Sequence, residues 1–159
     1  MLKADGGEPT AGAIYTIGHS NLAIPDFYTL LKSHGIATVA DVRRFPQSRR
    51  HPQYAKDALR ASLLEAGIVY LWLGEALGGF RSGGYESYVT DDSFRQGISE
   101  LEAIARRTPA AIMCAERDPA DCHRRFIADA LVRRGWRVLH IVPGGLFPHT
   151  VCEELFPLE

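Results

Sequence analysis

Short apolar, β-branched runs recur along the chain and predict five strands. They cover residues 13–17, 38–42, 68–73, 110–114 and 137–142. Between these runs the apolar positions follow helical spacing, so strand and helix alternate along the chain. This alternation predicts a single three-layer α/β domain, with a mainly parallel, roughly five-stranded sheet and helices on both faces.

Four amphipathic stretches predict the helices that connect the strands. They are expected at residues 25–34, at 54–66, from 91 or 92 onward, and at 121–134. The inward positions are expected to be Phe27, Leu30, Leu31, Leu59, Leu63, Leu64, Phe94, Ile98, Leu101, Ala105, Ile127, Ala130 and Leu131. A glycine follows three of these helices, at 35, 67 and 135, where it is typical of a helix end.

The connection between residues 74 and 90 is long for a compact domain, and its later part contains glycines at 78, 79, 83 and 84. Loops of this length are usually functional or mobile. These later glycines do not follow a strand directly, and they match neither phosphate-loop pattern. A flexible lid over a site and a weak nucleotide-binding loop are equal interpretations of this segment.

Length and composition limit the class of protein. A chain of 159 residues can form one domain with a full core. The pattern divides it into a disordered leader at 1–12, the α/β domain at 13–142 and a C-terminal tail at 143–159. No run of about eighteen apolar residues occurs, so no membrane span is expected, and the first residues lack the pattern of a secretory signal.

The cysteine count and the net charge indicate the expected cellular location and binding partners. Three cysteines, an odd number, do not make a secreted disulfide framework, so the cytoplasm is the expected location. The net charge of −1 gives no overall attraction to nucleic acid or to an anionic membrane. Fifteen arginines stand against three lysines. Arginine suits bidentate binding of phosphate or carboxylate, although a biased genome composition also explains the excess.

Polar side chains gather where the predicted strands end, which is where parallel sheets bind ligands. His19 and Ser20 follow the first strand, and Ser20 either caps the next helix or donates to an anion. Asp41 lies within the second strand, and Arg43 and Arg44 come after it. Because a buried carboxylate needs a partner, Asp41 is expected either to form a structural ion pair with Arg43 or to orient that arginine toward a substrate.

The segment "MCAERDPADCHRR", residues 113–125, carries the densest set of reactive side chains. They are Cys114 at the strand end, Glu116 and Arg117 in the loop, and Cys122, His123 and Arg124 after Asp121 at the predicted helix start. A helix N-terminus binds anions and lowers the pKa of a nearby cysteine. Cys122 is therefore the favoured reactive thiol, whereas Cys114, on an apolar strand, is either reactive or simply packed.

Four chemistries fit parts of this segment. A phosphatase-like or rhodanese-like loop needs a tight spacing from cysteine to arginine, and the spacing from Cys114 does not match. Zinc would need four ligands, and Cys114, Cys122, His123 and His19 suit it in chemistry but not in spacing. A redox pair of Cys114 and Cys122 lacks a C-x-x-C pattern. The fourth chemistry is a cysteine nucleophile with His19 or His123 as its base.

Four motifs stand in order over roughly residues 14–142: "YTIGHSN", "VADVRRFPQSRR", "YLWLGEALGG" and "MCAERDPADCHRRFIADAL" followed by "VLHI". Together they resemble the bacterial and archaeal domain of unknown function 488 family. The resemblance implies that certain motif residues act as one group, namely Cys114, Glu116, Cys122, His123 and Arg124, with Gly18, His19, Ser20, Asp41, Arg43, Pro46 and Ser48. It implies neither a reaction nor a substrate.

Two functional hypotheses follow. The first is an enzyme, with no cofactor, that acts on a phosphate-bearing substrate such as a nucleotide or nucleic acid. Its anion would be held by Ser20, Arg43, Arg44, Arg117, Arg124 and the amides of the helix start at Asp121. Cys122 or Cys114 would be the nucleophile, redox group or metal ligand, and His19, His123 and Glu116 would be acids or bases. The second is a non-enzymatic module that binds nucleic acid or a nucleotide through the same arginines, while the cysteines only pack. A small zinc site fits within either hypothesis.

Overall fold

Six strands, rather than the roughly five expected, form one sheet in the computed structural model, which describes residues 12–151. They are β1 (Ala13–Gly18), β2 (Thr38–Asp41), β3 (Val69–Trp72), β4 (Ala110–Cys114), β5 (Arg137–Val142) and β6 (Gly145–Pro148). Their order across the sheet is β3-β2-β4-β1-β5-β6. The first five are parallel, and β6 pairs antiparallel with β5.

Helices connect the strands as the alternating pattern predicts. They are α1 (Ile24–Ser33), α2 (Lys56–Glu65), α3 (Gly74–Leu77), α4 (Tyr85–Tyr88), α5 (Asp92–Arg107) and α6 (Arg124–Arg133). Two 3-10 turns, Pro52–Tyr54 and Pro119–Asp121, precede α2 and α6. The long connection after β3 is therefore partly helical, because it contains both α3 and α4. No helix in the described part of the chain is long and apolar enough to cross a membrane.

Apolar side chains form one core on each face of the sheet, which gives the expected three layers. On one face the sheet packs against α1 and α2, through residues that include Ile17, Phe27, Leu31, Leu59 and Leu63. On the other face it packs against α3 to α6, through residues that include Ile14, Leu77, Ile98, Leu101, Ile127 and Leu131. The apolar pattern thus predicted the burial of most helix positions correctly.

Two local predictions were wrong. Leu64 was expected to face inward, but it is 70% exposed. Leu59 and Leu63 lie four residues apart on one helix face, whereas Leu64 is turned away from that face. The last helix begins at Arg124 and not at Asp121. Residues 119–121 form a 3-10 turn instead, because the Asp118 side chain accepts the amide hydrogen of Ala120 at 2.9 Å.

The strand order places a topological switch point between β1 and β4. The connection from β1 leads toward β2 on one side of the sheet, whereas the connection from β4 leads to β5 on the other side. The loops after β1 and β4 therefore diverge and leave a crevice, which is where ligands bind in folds of this type. Because Gly18 pairs with Cys114, the His19 loop lies directly beside the cysteine loop.

Candidate active site

A cleft of about 790 Å³ opens at the carboxyl ends of β1, β2 and β4. Its size is within the range of small-molecule sites. Most of the side chains singled out in the sequence line it, namely His19, Ser20, Arg43, Arg44, Cys114, Glu116, Cys122 and His123. Segments far apart in the sequence therefore meet at this cleft, as expected from the rule that ligands bind at strand ends.

Cys114 and Cys122 form the centre of the cleft wall. The two Sγ atoms lie 2.6 Å apart, and both cysteines are free thiols that are almost fully buried. Cys114 ends β4, and Cys122 follows the 3-10 turn before α6. The Cys122 sulfur also accepts the backbone amide hydrogen of Arg124 at 3.3 Å, which is the contact expected of a thiolate at a helix start.

His123 is the imidazole that contacts Cys122. Its Nδ1 lies 3.7 Å from the Cys122 sulfur, while its Nε2 lies 2.9 Å from the backbone carbonyl oxygen of Val42. A carbonyl oxygen can only accept, so Nε2 carries the hydrogen, and Nδ1 of the neutral ring is left to accept a proton from the thiol. Gly79 packs closely against this ring: a Cβ at that position would lie only 3.3 Å from Nδ1.

The pKa values of the two thiols are shifted in opposite directions. The hydrogen bond from Cys114, followed by the interactions with His123 and the Arg124 amide, lowers the pKa of Cys122 to about 4. Burial, followed by the hydrogen bond with Cys122, raises the pKa of Cys114. The Arg124 amide and Nδ1 of His123 contact Cys122, so Cys122 is the thiol that ionises first and Cys114 is the one that donates to it.

Glu116 stands beside both sulfurs. A carboxylate oxygen of Glu116 and the sulfurs of Cys114 and Cys122 all lie within 4.8 Å of one another. Partial burial of the carboxyl group and the neighbouring Cys122 raise the pKa of Glu116. Gly18 allows this loop to pass close to β1, since a Cβ on Gly18 would overlap the Glu116 carbonyl oxygen. Glu116 can therefore exchange protons with the thiols.

Asp41 and Arg43 combine the two roles weighed for them in the sequence. Arg43 donates to the Asp41 carboxylate from Nε at 2.9 Å and from Nη2 at 2.7 Å, and the Tyr70 hydroxyl donates to the same carboxylate. Burial opposes the charge on Arg43, but the ion pair outweighs it and raises the arginine pKa. Asp41 is fully buried behind Arg43, and only Arg43 reaches the cleft. The pair is thus structural, and it also fixes an arginine at the cleft wall.

His19 is held as a neutral imidazole. Its Nδ1 donates to the carbonyl oxygen of Ser20 at 2.8 Å, so Nε2 is left as an acceptor, 3.4 Å from Nη1 of Arg43. Its ring stacks on Tyr54 at a centroid distance of 4.1 Å. Burial lowers the pKa of His19 to about 4. Because both nitrogens have other partners, His123 is the better base for Cys122. Ser20 adopts a positive φ of 47°, a strained turn that is typical of functional sites.

Arg124 and Arg117 do not line the cleft. Arg124 is 1% exposed and points into the protein, where it donates to the Thr16 hydroxyl and to the carbonyl of Glu116, both at 2.9 Å. Arg117 is exposed in the loop. The first amides of α6 are also engaged, because Arg124 donates to the Cys122 sulfur and Arg125 to the Cys122 carbonyl. The helix start therefore serves the thiolate rather than a free anion.

A chain of hydrogen bonds continues from Arg124 past β1 and β5 and returns to α6 at Asp129. The Thr16 hydroxyl contacts Nδ1 of His140 at 2.7 Å, and Nε2 of His140 lies 2.9 Å from Nδ1 of His149. Nε2 of His149 lies 2.6 Å from the Asp129 carboxylate. With both imidazoles neutral, every hydrogen in between points from Arg124 toward Asp129, because the guanidinium donates and the carboxylate accepts.

Two phenylalanines at the cleft were missed in the sequence. Phe45 is 64% exposed and Phe80 is 85% exposed, yet their rings lie only 5.8 Å apart on the cleft wall. Phe80 has a positive φ of 60°, which is unusual for a residue other than glycine. The guanidinium of Arg44 lies 5.9 Å from the Phe45 ring. The one available signal was an aromatic residue between the glycines of the long connection. Arg50 also lines the cleft.

The residues that could hold a metal ion differ from the set expected for zinc. In the described part of the chain, Cys114, Glu116 and Cys122 bring three ligand atoms together, without His19 or His123. Two thiolates on one tetrahedral zinc ion lie about 3.8 Å apart, because the Zn–S bond is about 2.3 Å long. The sulfurs here are 2.6 Å apart, so they would have to separate to share a zinc ion.

The fold and the cleft define an α/β domain with a cysteine-lined site at its topological switch point. A family model described as "Domain of unknown function DUF488" matches residues 23–84 and 79–131. The chain belongs to this family, in agreement with the resemblance of its motifs. No curated protein and no solved structure matched the chain.

Proposed function

We propose that the protein is an enzyme in which Cys122 attacks a phosphate-bearing substrate, such as a nucleotide or nucleic acid, in the cleft. The observation that carries this proposal is the position of the Cys122 sulfur, which lies in the cleft wall between the Arg124 amide and Nδ1 of His123. In this mechanism the sulfur bonds to the electrophilic atom of the substrate, and the leaving group takes a proton from Glu116. Water then displaces the sulfur and gives a proton to Glu116, which restores the Cys122 thiolate and the Glu116 acid.

Arginines of the same cleft supply the anion site in this proposal. Arg43 is held by Asp41, so little conformational freedom is lost when it binds an anion. Arg44 and Arg50 line the cleft beyond it. Guanidinium groups bind phosphate through paired hydrogen bonds, which gives both affinity and orientation. The Ser20 hydroxyl, at the strained turn, is a further candidate donor.

The alkylation rate of Cys122 by iodoacetamide is expected to stay nearly constant between about pH 6 and pH 8. An ordinary thiol, with a pKa near 8.5, would react about tenfold faster for each pH unit in this range. Cys122 behaves differently because its pKa is lowered to about 4. The labelled site is identified by peptide mass spectrometry in a Cys152→Ser background, which removes the third cysteine.

The controls for this experiment test whether the pH-independent reaction belongs to Cys122 and whether it depends on neighbouring groups. Cys122→Ser should remove the pH-independent reaction, and Cys114→Ala should move its onset to higher pH, since Cys114 donates to the thiolate. A nucleoside monophosphate should slow the alkylation, and Arg44→Gln should weaken this protection. An alkylation rate of Cys122 that rises tenfold per pH unit would refute the proposal that Cys122 is the nucleophile.

The exposed pair Phe45 and Phe80 favours a second function, a non-enzymatic module that binds a nucleotide or single-stranded nucleic acid. Bases stack on exposed aromatic rings, and each such contact contributes about 1–3 kcal/mol. In this case the arginines would bind phosphates and the thiols would only pack.

Phe80→Ala is expected to weaken binding of a short single-stranded oligonucleotide by about 5-fold to 150-fold, measured by fluorescence anisotropy at several salt concentrations. The matched control is Leu64→Ala, which removes an exposed apolar side chain from a different element, α2. Unchanged affinity in Phe80→Ala, or a flat salt response, would exclude the binding module. Binding that survives Cys122→Ser, with no turnover by the parent protein, would favour it over the enzyme.

A further inference from the structure

In the nucleophilic mechanism Cys114 only donates a hydrogen bond to Cys122, which a hydroxyl group could also do, yet its sulfur touches that of Cys122. The backbone holds both cysteines in place. The carbonyl of Cys114 accepts the amide hydrogen of His19 at 2.9 Å, and the amide of Cys122 donates to the carbonyl of Pro119 at 3.3 Å. Neither hydrogen bond has to break for a bond to form between two sulfur atoms that are already 2.6 Å apart.

We propose that Cys122 and Cys114 form a reversible intramolecular disulfide by exchange with the disulfide of a small thiol. The Cys122 thiolate attacks one sulfur of the small disulfide, whose S–S bond breaks and releases one small thiolate. A mixed disulfide is left on Cys122. The Cys114 sulfur then attacks the Cys122 sulfur and displaces the second small thiolate. The small disulfide is reduced to two thiols, and the two protein cysteines are oxidised.

Protons balance through water and through groups that lie near the sulfurs. Cys122 loses its proton to Nδ1 of His123 or to water before the attack, and that proton ends on the first small thiolate. Cys114 gives its proton to the Glu116 carboxylate, which passes it to the second small thiolate. Glu116 suits this transfer because its carboxylate oxygen lies within 4.8 Å of both sulfurs. Rates of exchange depend on the thiolate fraction of the attacking sulfur, which favours Cys122 as the first to react.

The order of the two steps also follows from position. Cys122 is 6% exposed and Cys114 is 1% exposed, and Cys114 lies at the end of a central strand. A thiol that reacts first has to reach the small disulfide, whereas a thiol that resolves the mixed disulfide has to reach only Cys122. The 2.6 Å separation also suits direct bond formation better than a shared zinc ion, for which the sulfurs would have to separate.

The test uses the full chain with Cys152→Ser, treated with oxidised glutathione and analysed by intact mass spectrometry. This protein is expected to lose the mass of two hydrogens and to retain no glutathione. Adding Cys114→Ser should trap glutathione on Cys122 as a stable mixed disulfide. Adding Cys122→Ser instead should slow the reaction at Cys114 by more than tenfold and leave no intramolecular disulfide.

Three outcomes would overturn the proposal. The first is a glutathione adduct that persists when Cys114 is present, and the second is no reaction at either cysteine. The third is purified protein with one zinc ion per chain whose thiols react only after chelation. The alkylation profile distinguishes these failures from failure of the proposed enzyme. If the alkylation rate of Cys122 is independent of pH but no disulfide forms, the proposal that Cys122 is a nucleophile still stands. A disulfide together with unimpaired protection by phosphate compounds would support both proposals.

Discussion

Asp41→Asn is expected to lower the free energy of unfolding by about 3–5 kcal/mol. The Asp41 carboxylate is fully buried and accepts hydrogen bonds from the Arg43 side chain, the Arg43 amide and the Tyr70 hydroxyl. Asparagine would leave the guanidinium of Arg43 buried without its counterion, and removal of one partner from such a pair is costly. Urea-induced unfolding, followed by circular dichroism, gives the difference in stability between the two proteins.

The chain offers a matched control for this substitution. Asp92 pairs with Arg95 at 2.9 Å, but their side chains are 90% and 58% exposed. Water screens such a pair, so Asp92→Asn should leave the unfolding midpoint unchanged within error. If Asp41→Asn changes stability no more than Asp92→Asn does, the pair is not held in a low-dielectric environment as the structure indicates.

Acidification from pH 6.5 to pH 4 is expected to remove roughly 3 kcal/mol of stability for each of two buried histidines, at about 1.4 kcal/mol per pKa unit. Burial lowers the pKa of His19 and of His140 to about 4 in the folded protein, from an ordinary value of 6.5. Between these values the unfolded chain binds protons that the folded chain does not. The contribution is therefore complete above pH 6.5 and is lost as the pH falls to about 4.

The measurement compares the pH dependence of stability and not stability itself. It is made in a Cys122→Ser background, because the Cys122 thiolate would add a slope of its own. His19→Gln and His140→Gln should each reduce the loss of stability between pH 6.5 and pH 4, and the double variant should reduce it further. A double variant with the same pH dependence as its parent would show that neither histidine is buried in its neutral form.

The apolar pattern predicted the sheet and the helices because burial follows local periodicity in a three-layer fold. β2 and β4 are buried along their whole length, since helices cover both faces of these strands. β6 gave no such signal, because Gly145–Pro148 is exposed throughout and pairs only at the sheet edge. Its position depends on hydrogen bonds to β5, which an apolar pattern does not encode. The shift of the last helix start to Arg124 has a similar cause, a local side-chain bond at Asp118.

The rule that ligands bind at strand ends predicted which loops meet, but not which way each side chain points. It brought His19, Arg43 and the cysteines together correctly. Arg124 was expected at the anion site, but it points inward, because Thr16 and the Glu116 carbonyl accept its hydrogens from inside the protein. Phe45 and Phe80 were missed because an apolar residue gives no sign in the sequence that it will remain exposed. Side-chain direction depends on tertiary contacts that spacing alone does not contain.

The one-way chain from Arg124 to Asp129 has a consequence for the design of shortened versions of this protein. A fragment cut after Val142 would keep the five parallel strands and would look complete by its hydrophobic pattern. It would, however, lose His149, which accepts the hydrogen of His140 Nε2. An imidazole N–H would then lie in the interior without an acceptor, at a cost of about 1–3 kcal/mol. Expression boundaries should therefore be placed beyond residue 149.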